Sequence, residues 1–582
     1  MANSRLKKLG NYLRPHWRMI LIGTIALIIV NALKVYIPLL ISGSIDQLDG
    51  EFSFNQLSRS ALLLLLLAAI MWAFRMLSRV LIFGAGRQVE FTLKQRIFQH
   101  LLTIEPGYFS ENRSGDLINR ATSDVDNIRR LVGFAVLSFI NIIFAYAFTL
   151  PAMLEINVKL SLLALSVYPL MLIIVQLFSG KLRKYQKEIQ VKLSDLSELI
   201  QEDMSGMALI RIYAQENQER EAFRAKNDEL LSANLKLART RNFLFPIIEG
   251  ISYISLLILL FLGTTEIVNG GITVGDFVAL VLFVEGLVFP TALLGFTISS
   301  YQQGEVSIDR VETITQAEPK VKNKPKAIVL LPEEIRGAIT ARNLTYTYPG
   351  AKTPALYDLN FTIQPGETVA IVGSIGSGKS TLANAIPRLL DVETGELFLD
   401  NHDITKLDLK TLRKAIAYVP QDSFLFSTTI KNNIRYGEPL AETDEVIQSA
   451  QQAQIHPEIL TFPQEYETIV GERGITLSGG QRQRTSLARA LLTDAKVLIL
   501  DDALSSVDNE TATKILNSLS PTRAKKTVIF ISHQLSAAAT CDRILVMDEG
   551  KIVQNGTHDI LVKQTGLYQS LWQQHQLKEV LN

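Results

Sequence analysis

The chain has 582 residues, 47% of them hydrophobic and 20% charged, with a formal net charge of +1. Near-neutral charge removes the electrostatic basis for a nucleic-acid partner. A single cysteine, Cys541, excludes an intrachain disulfide and a cysteine-rich metal site, and reads as a small buried hydrophobe.

Arg5, Lys7, Lys8, Arg14 and Arg18 precede an apolar run at 19–41. That run is too long for the core of a secretion signal and has no small-residue cleavage site, so it reads as a retained membrane helix. Five more runs follow at 60–83, 131–154, 160–178, 245–268 and 274–298, each near the roughly 20 residues that cross a bilayer. Lysine and arginine are abundant at the N-terminus and in 84–130 and 179–242, but scarce in 43–58, 155–158 and 269–273. This asymmetry predicts both termini in the cytoplasm. The basic segments keep helical spacing, as in VEFTLKQRIFQHLL, so the membrane helices should continue into the cytoplasm by about 30 Å for each 20 residues. Each extension breaks at a turn-like piece, 106–116 and 206–216. Lys34, Arg75, Glu249 and Glu285 fall within the spans, where an ionisable group faces a polar cavity, pairs, or snorkels to an interface. Glu285, in mid-span, is the strongest cavity candidate, whereas Glu249 lies near a span end.

From 317 to 337 the chain turns charged, carries Pro319, Pro325 and Pro332, and loses any sustained helical pattern, which reads as a linker. Beyond it, short β-rich runs such as TVAIVG, AIAYVP, VLILDD and TVIFIS alternate with helical stretches. That alternation predicts an α/β domain with a largely parallel core sheet. The expected architecture is multi-domain: a six-helix α-helical transmembrane domain at 1–316, the linker at 317–337, and at 338–582 an α/β domain that the glycine-rich GSIGSGKS makes a P-loop nucleotide-binding domain.

The P-loop lies at 371–380, IVGSIGSGKS. Gly373, Ser374, Ile375, Gly376, Ser377 and Gly378 form a glycine-rich turn whose backbone N–H groups can face a phosphate chain. Lys379 supplies charge for the β and γ phosphates, Ser380 offers a hydroxyl to Mg²⁺, and Thr381 follows in the same phosphate-binding run. Further along, the apolar strand ending at Leu500 delivers Asp501, a carboxylate suited to Mg²⁺, and then Asp502, where a base or water-positioning group belongs. Ser478, Gly479, Gly480 and Gln481 stand in LSGGQ at a predicted helix start, a second anion site. Gln421 after Tyr418-Val-Pro, Asp508 in SSVD and His533 in FISHQ complete the series.

This ordered set resembles the nucleotide-binding domain of ATP-binding cassette (ABC) proteins. With six spans in front, essentially the whole chain is similar to an ABC exporter half-transporter. The resemblance implies ATP and Mg²⁺ as ligands. It assigns adenine stacking to Tyr348, γ-phosphate and Mg²⁺ contacts with cross-domain sensing to Gln421, a switch contact with the γ-phosphate to His533, and a contact with the transmembrane domain to Glu472. The pieces at 106–116 and 206–216 then correspond to coupling helices. It further implies a multi-pass protein of a bacterial inner or plasma membrane. ATP would close two cassettes head to tail, each site joining one chain's phosphate loop to the other's LSGGQ, and drive export of an amphipathic or lipophilic drug or lipid.

One position departs from the family. Where a hydrolytic cassette usually has Glu after the Mg²⁺-binding Asp, this chain has Asp502, shorter by one methylene. A positioning error near 1 Å can cost about 10²-fold in rate, so this site is expected to bind ATP well and turn it over slowly. That is the pattern of the degenerate-site subunit of heterodimeric ABC exporters, whose partner is a second, different half-transporter. A homodimer with Asp502 as working base, and a nucleotide-gated channel or regulatory membrane protein, are the alternative readings. The six spans and neutral charge argue against a soluble ABC ATPase acting on nucleic acid.

Overall fold

The computed structural model describes residues 2–47, 54–471, 477–507, 511–512, 514–515 and 526–581. It divides into two units, one of Met1–Thr103 and Asn112–Ala317, the other of Ile104–Glu111 and Glu318–Asn582.

Among the described residues, the first unit has six helices long and apolar enough to cross a membrane. The first and second run Trp17–Asp46 and Phe54–Leu101. The third, Val136–Ile156, is approached through Ser114–Asn119 and Val125–Arg130 with wider π turns at Arg120–Asp124 and Leu131–Ala135. Asn157 ends it and caps the next helix, Val158–Leu165, by accepting from the Leu160 N–H at 3.0 Å. The fourth continues as Tyr168–Ser205, with proline in its first turn, where a missing N–H costs nothing. The fifth and sixth are Glu216–Val268 and Val274–Thr315.

At 53 residues, the fifth helix is about 80 Å long at 1.5 Å per residue, far beyond a hydrocarbon core of about 30 Å. The basic segments are therefore continuations of the spanning helices. Thr273 and Asp276 form a capping box at the start of the sixth helix. Asp46, at the end of the first, accepts from the Thr273 hydroxyl at 2.7 Å and the Gly275 N–H at 2.8 Å, tying the two helix ends together. Leu62, Leu65 and Trp72 are exposed on the second helix, an arrangement that a bilayer solvates and water does not. Met153, Leu160, Leu259 and Leu280 fill the interior. A short helix, Met207–Ile212, interrupts the fourth and fifth helices and leaves Leu209, Ile212 and Tyr213 exposed.

In the second unit the strands form two sheets. The six-stranded sheet has the order β10-β9-β3-β8-β7-β6, from β10 (Lys551–Gly556), β9 (Arg543–Asp548), β3 (Thr368–Gly373), β8 (Thr527–Ile531), β7 (Val497–Asp501) and β6 (Ile416–Val419). All of its pairings are parallel except β10 with β9. Every residue of β3, β7 and β8 is buried, which is why they read as unbroken apolar runs. The earlier β-rich runs, β1 (Ile339–Tyr346) and β2 (Leu356–Ile363), join β4 (Leu397–Leu399) and β5 (His402–Asp403) in a separate antiparallel sheet, order β2-β1-β4-β5. Their burial is interrupted by exposed positions, as befits a sheet covered on one face. Parallel register sets Ile371 beside Ile531, and Ile531 beside Asp501. The C-terminal ends of β3, β8 and β7 therefore open at one edge, where parallel α/β sheets bind ligands.

Candidate functional site

The phosphate loop leaves β3 at Gly373, whose φ is +150° and where a Cβ would lie 1.9 Å from the Met547 carbonyl oxygen. Its other end, Gly378, has φ +95°, with a Cβ position 2.4 Å from the Ala355 oxygen. Only glycine fits either point. Between them the chain feeds the helix Lys379–Ala385. Lys379 is buried, and its Nζ donates to the carbonyls of Gly373 (3.0 Å) and Ser374 (2.7 Å) and to Ser377 Oγ (3.3 Å). The ammonium thus sits inside the ring of backbone that would carry phosphate. Burial lowers its pKa, and the negative charges of Asp502 and Asp501 oppose that shift. Ser374 is held from the far side by its hydrogen bond to Asp548. Ile375 is 92% exposed at the loop's crest.

Ser380 Oγ donates to Asp501 Oδ1 at 3.0 Å, bringing two of the three predicted Mg²⁺ ligands together. The Tyr418 hydroxyl lies 3.2 Å from Asp501 Oδ2 and 3.0 Å from Asn384 Oδ1, so it fixes the carboxylate's second oxygen. Burial pushes the Asp501 carboxyl up from its ordinary pKa; the Ser380 and Tyr418 hydrogen bonds and Lys379 pull it down, while Asp502 pushes it up. Burial and Asp501 likewise push the Tyr418 phenol up. A buried carboxylate and a hydroxyl are hard oxygen donors, the set that Mg²⁺ selects.

Asp502 follows directly, with φ +49°. Its N–H donates to the Ile531 carbonyl at 2.9 Å, and its carbonyl accepts from Ser505 N at 3.2 Å. Gln483 Nε2 reaches the same carbonyl at 3.4 Å and Ser505 Oγ at 3.0 Å, while its Oε1 accepts from Ser506 N at 3.0 Å. The backbone here is held from several sides. Asp502 Oδ1 is buried without a hydrogen-bond partner, a free acceptor beside the Mg²⁺ ligand set. Gln421 and His533 are exposed in the turns after β6 and β8. Tyr348 is 41% exposed, its hydroxyl 3.2 Å from Thr381 Oγ1 and its ring edge-on to Tyr346.

Ser478 caps the helix Gly479–Leu491 in a capping box with Gln481. Gln481 Nε2 also donates to Glu458 Oε2 at 3.0 Å, and Arg484 pairs with the other oxygen at 2.6 Å. Among the described residues no hydrogen bond links Ser478 through Gln481 to the phosphate loop of the same chain. Glu472 and Asp508 lie outside the described residues. Asp548, Asn384 and Gln483 escaped sequence reasoning because each acts through a partner distant in sequence. Tyr418 stood in the motif as a landmark, and its phenol's contact with Asp501 emerges only from the pairing of β6 with β7.

Residues 20–291 match the family model described as the ABC transporter transmembrane region, and 356–505 the model described as ABC transporter. Over 580 residues the chain is 33% identical to the multidrug resistance-like ATP-binding protein MdlA of Escherichia coli (strain K12), covering 99% of this chain and 97% of that protein. The chain belongs to the ABC transporters. Other ABC transporters are similar over comparable lengths. The probable multidrug resistance ABC transporter ATP-binding/permease protein YheI of Bacillus subtilis (strain 168) is 33% identical, covering 99% of this chain and 98% of its own length. The ATP-dependent lipid A-core flippase of Syntrophus aciditrophicus (strain SB) is 32% identical, covering 98% of this chain and 94% of its own. The solved structure of a bacterial Atm1-family ABC exporter with ATP bound matches with a TM-score of 0.75 at 25% identity, over 97% of this chain and 98% of that one. This ABC transporter is a multi-pass membrane protein with the half-transporter layout of the exporters. Its nucleotide-binding domain binds ATP and is an ABC-type transporter ATPase domain.

Proposed function

We propose that this chain is one half of a heterodimeric exporter of an amphipathic or lipophilic solute, and that its own ATP site binds nucleotide firmly but hydrolyses it slowly. The carrying observation is Asp502. It stands where the attacking water must be positioned, it is one methylene short, and its backbone is hydrogen-bonded on both sides. Lys379 and the loop from Gly373 to Gly378 hold the phosphates, and Tyr348 stacks on adenine. Ser380, Asp501 and Gln421 hold Mg²⁺, which neutralises phosphate charge when bound, and His533 meets the γ-phosphate. Ser478 through Gln481 and Asp508 complete the partner's site, which joins this chain's intact LSGGQ to another phosphate loop. The segments 106–116 and 206–216, with Glu472, pass closure to the spanning helices.

The solute class is supported by relatives named for multidrug resistance and lipid A-core flipping. Lysine and arginine bias supports cytoplasmic termini, and the bacterial relatives support a bacterial inner or plasma membrane. Native mass spectrometry of the complex purified through a tag on this chain tests the assembly. The expected mass is this chain plus a different half-transporter; a complex of two copies of this chain sinks the heterodimer. Vesicle transport assays with amphipathic drugs and lipids test the direction and the solute class.

A further inference from the structure

Resting on the export reading, we infer that a cavity at membrane depth around Lys34 seats the anionic head group of the transported amphiphile. The cavity has a volume of about 220 Å³, is partly open, and is lined by the first, second, third and sixth spanning helices. Its wall is apolar, with Ile37, Pro38, Met71 and Phe283 prominent, and the polar side chains on it are Lys34 and Thr149. Lys34 is half-buried in the first span. Among the described residues no carboxylate lies within ion-pair distance of it, and the charged group that acts on it electrostatically is a second cation, Arg75. Arg75 has no acid either; its side-chain hydrogen bond goes to Met71 Sδ at 3.6 Å, on the cavity wall. Arg79 adds a third positive charge beside Arg75.

The acids of the spans do not answer this charge. Glu285, expected from the sequence to face a cavity, is exposed and absent from the cavity wall, and Glu249 accepts from the Tyr253 hydroxyl at 3.1 Å. Uncompensated cations at membrane depth are costly, and a cavity with apolar walls gives them no counter-charge. A carboxylate or phosphate monoester on an apolar body supplies both missing parts: an anion for Lys34 and hydrocarbon for Ile37, Pro38 and Phe283. A lipophilic cation would add like charge to the same space.

The test uses the intact complex in lipid nanodiscs, titrated by fluorescence with dansyl undecanoate, its methyl ester and a dansylated alkyl amine. The acid should bind more tightly than ester or amine. Lys34→Met should weaken the acid by about 10-fold or more, the scale of a hydrogen bond to a charged group, and leave the ester unchanged, while Lys34→Arg keeps the preference. Lys34→Gln serves as the second neutral variant where Lys34→Met fails to assemble. Dodecyl phosphate should displace the acid, whereas inorganic phosphate should not; equal displacement by inorganic phosphate would replace the amphiphile seat by a simple anion site and overturn the inference. An amine or ester bound as tightly as the acid, or an acid-to-ester ratio untouched by both neutral variants, overturns it as well. Transport separates the two readings. Export of the amine or ester with the acid excluded leaves the export reading intact and removes this one. Binding of the acid through Lys34 with no ATP-driven movement of any amphiphile removes the export reading and, with it, the role of the seat in transport, leaving only an anionic-amphiphile binding site.

Discussion

Asp502→Glu should raise hydrolysis at this chain's own ATP site about 10²-fold while leaving ATP affinity nearly unchanged. The magnitude follows from how the backbone is held. Asp502 N–H is bonded to Ile531 O at 2.9 Å, and its carbonyl accepts from Ser505 N at 3.2 Å and Gln483 Nε2 at 3.4 Å. The main chain therefore cannot slide forward to offset a short side chain, and a carboxylate withdrawn by a C–C bond of about 1.5 Å stays withdrawn. Misplacement near 1 Å costs about 10²-fold, or about 2.7 kcal/mol of barrier. Affinity should hold because the proposed phosphate and Mg²⁺ contacts are those of Lys379, Ser380 and Asp501, and none of them changes. The φ of +49° at this position suits Asp better than Glu, so the variant should lose about 1 kcal/mol or less of stability. The assay is single-turnover hydrolysis in a complex whose partner has its own catalytic carboxylate neutralised and an intact LSGGQ, so that only this site reports. No gain in that background would refute the argument, since Asp502 would then already serve as the base.

Lys379→Ala should weaken ATP binding at this site at least 10-fold, read by calorimetry on the complex; unchanged affinity would remove Lys379 from the phosphate site. Asp501→Asn should weaken Mg²⁺–ATP binding yet raise the apo thermal midpoint, seen by calorimetric melting. The sign follows from the raised carboxyl pKa: folding favours the protonated form, so its contribution is full at low pH and is lost as pH rises from the ordinary carboxylate value through the folded one. The Asn variant should lack that decline. Gly480→Ala should abolish most ATPase activity of the complex while sparing nucleotide binding at this chain's own loop. Its Cβ would stand 2.7 Å from the Ser506 carbonyl oxygen and displace a segment that would face the partner's nucleotide; full retained turnover would argue against head-to-tail pairing.

The sequence by itself determined what local pattern can encode. Six apolar runs, a charged linker and strands alternating with helices are written in hydrophobic period and composition, and the loop from Gly373 to Ser380 is short enough for its own residues to dictate its turn. The substitution at Asp502 was equally plain in the chain. Tertiary structure decided what depends on pairing between distant segments. β1 and β2 fall in a separate antiparallel sheet because burial on one face, which single strands cannot report, selects their partners. Parallel pairing of β6 with β7 brings Tyr418 to Asp501, and pairing of β3 with β9 brings Asp548 to Ser374. The same holds within the membrane unit. Lys34 and Glu285 look alike in sequence as charges within apolar runs, yet only helix packing decides that Lys34 lines this cavity while Glu285 is exposed and absent from its wall. A helix's rotation about its axis is set by the side chains of its neighbours, and no single helix contains that information.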